Sequence, residues 1–166
     1  MNKIIILRGN CCSGKTTASK ELQRRLGRGT LLVPQDTARR DMLWVKDTPG
    51  NQSIDLLKHL IDYGHKKCKY TILEGILYSD YYNDLFEHIA KIFKGQVFAY
   101  YVDAPFDETV KRQKMRTEHN KFGEEEMRAI WREKDYLPNI KETIVDSVAM
   151  SSTEIVEKIC DDINAN

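Results

Sequence analysis

The chain carries a complete phosphate-binding motif, G-x-x-x-x-G-K-[ST], as Gly9-Asn10-Cys11-Cys12-Ser13-Gly14-Lys15-Thr16. An apolar run precedes the motif and a helical pattern follows it, which is the context that the motif requires. Backbone N–H groups of such a loop surround an anion, and the following helix adds the positive end of its dipole. The sequence therefore predicts a nucleotide site with Lys15 on the β- and γ-phosphates and the Thr16 hydroxyl on Mg²⁺. The expected nucleotide-binding residues of the loop are Gly9, Asn10, Cys11, Cys12, Ser13, Gly14, Lys15, Thr16 and Thr17.

Short apolar runs alternate with helical patterns along the rest of the chain. The predicted strands cover residues 3–7, 31–33, 70–73, 97–102 and 143–148. The predicted helices cover residues 14–26, 36–43, 53 onward with an interruption near Gly64, 79 or 80 onward, 107–118, 124–134 and 152–163. This alternation predicts an α/β fold in which a five-stranded parallel sheet carries helices on both faces. Ligands bind beyond the carboxyl ends of the strands in such folds, so the residues after the first four strands are expected to converge.

The composition is that of an ordinary globular chain. Its 166 residues suit one domain, 1–166, and 26 Lys and Arg against 25 Asp and Glu give a net charge of +1. That balance argues against an extended basic surface for binding nucleic acid but allows a local basic pocket. The N-terminal apolar run predicts neither a signal peptide nor a membrane span, and the four cysteines have no C-x-x-C spacing. We therefore expect a cytoplasmic protein with reduced thiols and no membrane partner; the sequence carries no signal for an oligomeric state.

An acidic residue and two arginines follow the second predicted strand. Asp36 comes directly after it, and Arg39 and Arg40 lie three and four positions on, which brings them to one face of a helix. A carboxylate there can orient and deprotonate an acceptor hydroxyl, and an arginine beside it can hold an anionic acceptor or the moving phosphoryl group. The alternative is a helix N-cap with a solvated ion pair.

Glu74 ends the third predicted strand and is followed by Gly75. A carboxylate at this place in a nucleotide-binding sheet is expected to lie near Mg²⁺ or to contact the acceptor. The bare glycine leaves space for a ligand. The alternative is a carboxylate that only caps the next turn.

The helix after the fourth predicted strand carries Arg112 and Arg116, four residues apart. A polar segment, residues 117–123, joins it to the next predicted helix. This pattern predicts a small helical lid at about residues 112–128 that closes over ATP, excludes water and puts arginines on the phosphates. The alternative is a solvent-exposed amphipathic helix with ordinary surface charges.

Two adjacent cysteines lie inside the phosphate-binding motif. The nearby helix N-terminus and Lys15 are expected to lower the pKa of a thiol at Cys11 or Cys12. This suggests the hypothesis that oxidation or alkylation there blocks nucleotide binding. The alternative is that both cysteines are small spacers.

Three stretches, residues 8–17, 35–39 and 101–116, are similar to motifs of the small P-loop kinases. Their order and spacing resemble those of the polynucleotide 5′-hydroxyl kinases, the chloramphenicol phosphotransferases and the zeta-toxin kinases. The resemblance implies the three-layer P-loop NTPase fold with strand order 2-3-1-4-5 and a small helical lid.

The resemblance also implies roles for individual residues. In that group the residue matching Asp36 is the general base, the one matching Arg39 contacts acceptor phosphate in the polynucleotide enzymes, and the one matching Arg116 is a lid residue on the transferred phosphoryl group. Glu74 stands where relatives often have aspartate, which leaves its role open.

Together these observations predict an ATP-dependent kinase that transfers the γ-phosphoryl group to a hydroxyl of a small nucleoside-, nucleotide- or antibiotic-like molecule. Its expected cofactors are ATP and Mg²⁺. The expected catalytic residues are Lys15, Asp36 and Arg116. Arg112 is expected to bind nucleotide, and the connection at residues 147–151 is a candidate cradle for the adenine. The expected acceptor contacts are Asp36, Arg39, Arg40 and Glu74.

Three other functions remain open from the sequence. A polynucleotide 5′-hydroxyl kinase is the nearest, although the balanced charge and the lack of a partner phosphatase or ligase domain favour a small acceptor. A GTPase or NTPase switch is suggested by the D-x-x-G at residues 47–50, but residues 120–123 lack the aspartate that reads guanine. A non-catalytic nucleotide-binding module is disfavoured by the intact Lys15, Thr16 and Asp36.

Overall fold

The computed structural model describes residues 1–116 and 123–165. Its strands are β1 (Lys3–Arg8), β2 (Leu31–Pro34), β3 (Tyr70–Gly75), β4 (Val97–Asp103) and β5 (Glu142–Asp146). Its α-helices are α1 (Lys15–Leu26), α2 (Ser53–Lys67), α3 (Asn83–Phe93), α4 (Phe106–Lys114), α5 (Glu124–Ile130) and α6 (Ser152–Asn164), and a π-helix covers Thr37–Met42. Within these residues, no helix combines the length and the apolar character needed to cross a membrane.

The five strands form one parallel sheet in the order β2-β3-β1-β4-β5. The central strand β1 pairs with β3 on one side and β4 on the other, and β2 and β5 form the edges. Both the parallel sheet and the predicted order 2-3-1-4-5 are confirmed. The chain therefore has the P-loop kinase fold.

Alternate side chains of β1 enter two separate cores. Ile4 and Ile6 are fully buried in the core beneath α2 and α3. Ile5 and Leu7 are fully buried in the other core, beneath α1 and α6. Burial of a side chain of this size contributes about 2 kcal/mol to folding, so this strand is stabilised from both faces. A strand so fixed gives the loop that follows it a rigid base.

Gly64 does not interrupt α2, which runs unbroken to Lys67. A Cβ at Gly64 would lie 2.3 Å from Thr71 Oγ1 in β3. Glycine therefore stands here because the helix lies close against the sheet.

Asp36 lies directly before the π-helix, but its side chain does not cap it. Its backbone is already helical, with φ −63° and ψ −37°, and its side chain makes no capping hydrogen bond. The carboxylate is instead paired with Arg39 and Arg40 at positions i+3 and i+4, so the partly solvated ion pair of the alternative interpretation is present without the cap. The helix that follows has the wider π-turn, a form that is often found at functional sites.

The two helices of the predicted lid are α4 and α5, both shorter than expected. Helix α4 ends at Lys114 and α5 at Ile130, in place of residues 118 and 134. Arg116 and Gly123 mark the limits of the described chain on either side of the connection, and residues 117–122 of the predicted lid lie outside the described residues.

Candidate active site

The loop between β1 and α1 depends on two glycines. Gly9 has φ +150°, and a Cβ there would lie 2.3 Å from Val102 O in the neighbouring strand. Gly14 has φ +103° at the start of α1. No other residue fits the first position without displacing β4, and both positions favour glycine because L side chains rarely adopt a positive φ. The loop therefore turns back over the N-terminus of α1, where its amides can surround an anion.

Two polar side chains in this loop have hydrogen-bonding capacity to offer a phosphate. Lys15 is buried, and its Nζ donates to Asn10 O at 3.1 Å, across the loop. Ser13 Oγ is buried and has no hydrogen-bond partner within the described residues. A buried hydroxyl without a partner is costly, so its presence fits a loop that is completed by a ligand with acceptor oxygens.

Thr16 and Glu74 meet at the start of α1, next to the phosphate loop. Thr16 Oγ1 donates to Glu74 Oε1 at 2.9 Å, and Glu74 is buried. The contact follows from sheet register, since Glu74 lies beside Leu7 of β1 at the carboxyl end of β3. A hydroxyl and a carboxylate are the hard oxygen ligands that Mg²⁺ prefers, so this pair fits the ion. In the described part of the chain, no cluster of three His, Cys, Asp or Glu could hold a metal ion by itself.

Asp36 presents a carboxylate to solvent while two arginines hold it. Arg39 Nη2 lies 2.9 Å and Arg40 Nε 3.5 Å from Asp36 Oδ1, and the carboxylate side chain is 56 % exposed. Arg39 itself is buried, and its Nη1 donates to Val45 O at 3.1 Å. Arg39 therefore fixes the carboxylate from behind, whereas Arg40 is exposed beside it.

One cleft, of about 90 Å³, is lined by seven of the fifteen predicted site residues. Its lining includes Cys11, Cys12, Lys15, Asp36, Arg40, Glu74 and Arg116. The other predicted site residues are not among the lining residues: Arg39, Arg112 and, from the phosphate loop, Gly9, Asn10, Ser13, Gly14, Thr16 and Thr17. The structure thus brings together the three residues predicted to be catalytic, although their sequence positions span about a hundred residues.

Arg112 lies beside the phosphate loop but donates to protein groups. Its Nη1 donates to Ser13 O and to Ser147 Oγ, both at 3.0 Å, and its Nη2 donates to Ser147 O at 2.8 Å. Glu108 accepts from its Nε at 3.1 Å. This arginine therefore joins the phosphate loop to the connection between β5 and α6.

Arg8, directly before the loop, is a residue that the sequence reasoning missed. Its side chain is fully buried and pairs with Glu142 at 2.9 Å and Asp135 at 3.0 Å. It also donates to Leu77 O and lies over the ring of Phe86, 5.4 Å from the ring centre. The signal for this buried role in the sequence was a charged residue directly after the apolar run of residues 4–7.

Asn10 also makes supporting contacts that the sequence did not predict. Its Nδ2 donates to Arg132 O at 2.7 Å, and its Oδ1 accepts from Arg132 N at 3.1 Å. This pair of bonds ties the phosphate loop to the chain just after α5. The C-terminal end of α5 is thereby held at a fixed place next to the loop.

The adjacent thiols have opposite pKa shifts. Cys11 Sγ and Cys12 Sγ lie 3.4 Å apart. The hydrogen bond from Cys11, with the positive charges of Arg116 and Lys15, lowers the pKa of Cys12 to about 7. Donating that bond raises the pKa of Cys11, and burial raises it further. The predicted lowering therefore applies to the buried Cys12 and not to the more exposed Cys11.

Solved structures with the same fold include several small-molecule kinases. A gluconokinase from Sinorhizobium meliloti 1021 has a TM-score of 0.70 and 12% identity, covering 98% of this chain and 92% of that one. A shikimate kinase from Acinetobacter baumannii in complex with shikimate has a TM-score of 0.63 and 15% identity, covering 100% and 95%. The Mycobacterium tuberculosis APS kinase CysC, in complex with AMPPNP and APS, has a TM-score of 0.67 and 16% identity, covering 96% of both chains. At these identities the likeness establishes the fold.

Sequence comparison identifies the family. No curated protein sequence matches the chain at a significant level. A family profile described as "AAA domain" (AAA_18) matches residues 5–132, which include most of β1, the phosphate loop, Asp36, Glu74, α4 and α5. Because this match covers most of the chain and the sheet has the strand order of the P-loop kinases, the protein belongs to the AAA domain family.

Proposed function

We propose that this protein is an ATP-dependent kinase that transfers the γ-phosphoryl group to a hydroxyl of a small nucleoside-, nucleotide- or antibiotic-like acceptor. The observation that carries the proposal is the shared cleft, in which Lys15, Asp36 and Arg116 face one space. A site that only bound nucleotide would need the loop and its lysine. It would have no use for an arginine-held carboxylate in the same cleft.

In this proposal the phosphate loop binds the donor. The loop amides, Lys15 and the unpartnered Ser13 hydroxyl hold the phosphates of ATP. The Thr16 hydroxyl and Glu74 hold Mg²⁺, which supplies positive charge to the β- and γ-phosphate oxygens when bound. Arg112 supports the loop through the Ser13 carbonyl and lies near the connection at 147–151, the candidate cradle for the base.

Asp36 is the proposed general base. Within the described residues both of its ion pairs use Oδ1, so Oδ2 can accept the proton of an acceptor hydroxyl. Arg39 fixes the carboxylate so that it does not have to reorient during transfer. Arg40 borders the acceptor, and Arg116 adds positive charge beside the moving phosphoryl group.

The structural neighbours support this assignment. The gluconokinase and the shikimate kinase described above are named for small acceptors. The structure of the APS kinase contains AMPPNP. All four cysteines are free, which agrees with a cytoplasmic enzyme. We take residues 1–166 as a single kinase domain.

A labelled-phosphate assay tests the proposal. γ-Labelled ATP is incubated with a panel of nucleosides, nucleotides, sugars, aminoglycoside- and phenicol-type antibiotics and 5′-hydroxyl oligonucleotides. We expect label on one class of acceptor, and a loss of about 10²–10⁴-fold in transfer with unchanged ATP binding in Asp36→Asn. Asp41→Asn is the matched control, since Asp41 is exposed in the same π-helix and does not line the cleft. Label released only as free phosphate with every acceptor would overturn the kinase assignment in favour of an NTPase.

A further inference from the structure

Trp44 combines two features that cost free energy. Its side chain is 92% exposed, and its backbone lies in the left-handed region at φ +51°. Bulky residues rarely adopt a positive φ, and a large aromatic side chain in water forgoes burial. Backbone strain of this kind is concentrated at ligand-binding sites.

The chain that follows Trp44 is held by hydrogen bonds. Val45 N donates to Arg39 O at 3.0 Å, and Arg39 Nη1 donates back to Val45 O at 3.1 Å. Asp47 Oδ1 accepts from Tyr82 Oη at 2.7 Å. The indole is therefore presented to solvent from an anchored turn, and its exposure is a property of the fold.

A basic groove lies beside the indole and shares Arg40 with the proposed active site. It has a volume of about 420 Å³ and is lined by Arg39, Arg40, Trp44, Val45 and Lys46. Among the described residues its lining thus holds three cations and no acid. Arg40 lines both this groove and the cleft that contains Asp36 and Lys15. A molecule lying on Trp44 would reach the proposed general base past Arg40.

We propose that this groove binds the acceptor and that the acceptor is a mononucleotide with a free hydroxyl. Its base stacks on the Trp44 indole, its phosphate pairs with Arg40 and Lys46, and its hydroxyl points toward Asp36. Aromatic side chains hold bases by stacking, and arginine and lysine hold phosphate by charge-assisted hydrogen bonds. The net charge of +1 gives no extended basic track, so the groove suits a single nucleotide better than a long strand. The placement of the hydroxyl rests on the proposed kinase function; the binding site does not.

Tryptophan fluorescence tests the binding site without any assay of transfer. Because the chain has two tryptophans, Trp131→Phe leaves Trp44 as the only reporter. The nucleotide site is saturated with Mg²⁺ and AMPPNP, and the protein is titrated with the four nucleoside 3′-monophosphates, the matching nucleosides and ribose 5-phosphate. We expect at least one of the monophosphates to quench the fluorescence of Trp44 as it saturates the groove. We expect the nucleoside and the sugar phosphate each to bind at least tenfold more weakly, since each lacks one of the two contacts.

Variants separate the stacking contact from general surface effects. With labelled monophosphate in equilibrium dialysis, Trp44→Ala is expected to weaken binding by about tenfold or more, and Trp44→Phe by much less. Lys46→Ala is expected to weaken binding of the monophosphate but not of the nucleoside. Tyr63→Ala is the control, because this side chain is also exposed, at 57%, but lies on α2 and outside the groove.

The outcomes distinguish this inference from the kinase assignment. Transfer to an acceptor that is unaffected by Trp44→Ala would overturn the groove as the acceptor site and leave the kinase standing. Quenching by a monophosphate without transfer to any acceptor would support the site and overturn the kinase. Equal binding of nucleoside and monophosphate would overturn the phosphate contact, and much tighter binding of a 5′-hydroxyl oligonucleotide would overturn the choice of a mononucleotide. Absence of quenching by all four monophosphates would overturn the site.

Discussion

Thr16 Oγ1 donates a hydrogen bond to Glu74 Oε1 at 2.9 Å, which links the first turn of α1 to the end of β3. The two residues are 58 positions apart, and the register of β1 with β3 brings them together. Glu74 lines the cleft, and Thr16 contacts this carboxylate from the start of α1. In the proposed function, a divalent ion held by this pair would contact both the protein and the phosphates.

Glu74→Gln is expected to raise the Mg²⁺ requirement of nucleotide binding. The amide keeps the size of the side chain but removes the negative charge, so the ion should bind about 10–100-fold more weakly. The measurement is a Mg²⁺ titration at fixed concentration of a fluorescent ATP analogue. Glu87→Gln, at an exposed position of α3, is the control. An unchanged Mg²⁺ midpoint in Glu74→Gln would contradict a role of this carboxylate near the ion.

Gly9→Ala is expected to lower the free energy of unfolding by about 1–3 kcal/mol and to abolish nucleotide binding. The new methyl group would meet Val102 O at 2.3 Å, so either the loop or β4 must move. Gly29→Ala is the matched control. Gly29 also has a positive φ, +87°, but a Cβ there has no atom within 4 Å. Gly29→Ala should lower the free energy of unfolding by about 1 kcal/mol, through backbone strain alone, and this variant should bind nucleotide normally. Urea unfolding and nucleotide titration compare the two, and equal losses would show that the contact with Val102 is unimportant.

The fold and the position of the site follow from local sequence patterns. The motif at residues 9–16 predicts a strand, a phosphate loop and a helix, and alternating strands and helices predict a parallel sheet. Parallel strands put their carboxyl ends at one edge, which is why Lys15, Asp36 and Glu74 could be predicted to converge. Asp36 and Glu74 come within three residues of the ends of the second and third predicted strands, and Lys15 lies at the end of the loop that follows the first.

The supporting contacts could not be predicted because their partners are distant in sequence. Arg8 and Glu142 are 134 positions apart, and Asn10 and Arg132 are 122 apart. Gly64 resembled a helix interruption because the reason for it, the close approach of Thr71, lies on another element. Local patterns predict elements, whereas these pairings depend on how the elements pack.

Arg8→Ala is expected to lower the free energy of unfolding by about 3–5 kcal/mol, because it leaves the carboxylates of Asp135 and Glu142 without their buried partner. Arg25→Ala is the comparison. It removes an ion pair with Glu157 in which both side chains are 55% exposed, and it should cost no more than about 1 kcal/mol. Urea unfolding at neutral pH measures both. Similar small losses in the two variants would contradict the view that the buried cluster fixes the strand end beneath the phosphate loop.

Alkylation of the phosphate loop is expected to follow the pKa of Cys12. Since that pKa is lowered to about 7, the thiolate fraction, and with it the reaction rate with iodoacetamide, should rise as the pH passes through 7 and level off above about 8. An ordinary thiol would show this rise near 9.0. Saturating Mg²⁺ and AMPPNP should slow the reaction, because phosphates and thiolate would share the charges of Lys15 and Arg116.

Cysteine variants assign that reaction to a residue. Cys12→Ser should remove the component with a midpoint near 7, and Cys160→Ser should leave it unchanged, because burial raises the pKa of Cys160. Peptide mass spectrometry after partial alkylation identifies the modified thiol at each pH. A midpoint near 9, or a rate that nucleotide does not affect, would contradict a thiolate inside the phosphate loop. Complete alkylation with unchanged ATP affinity would show that both cysteines are only small spacers in the loop.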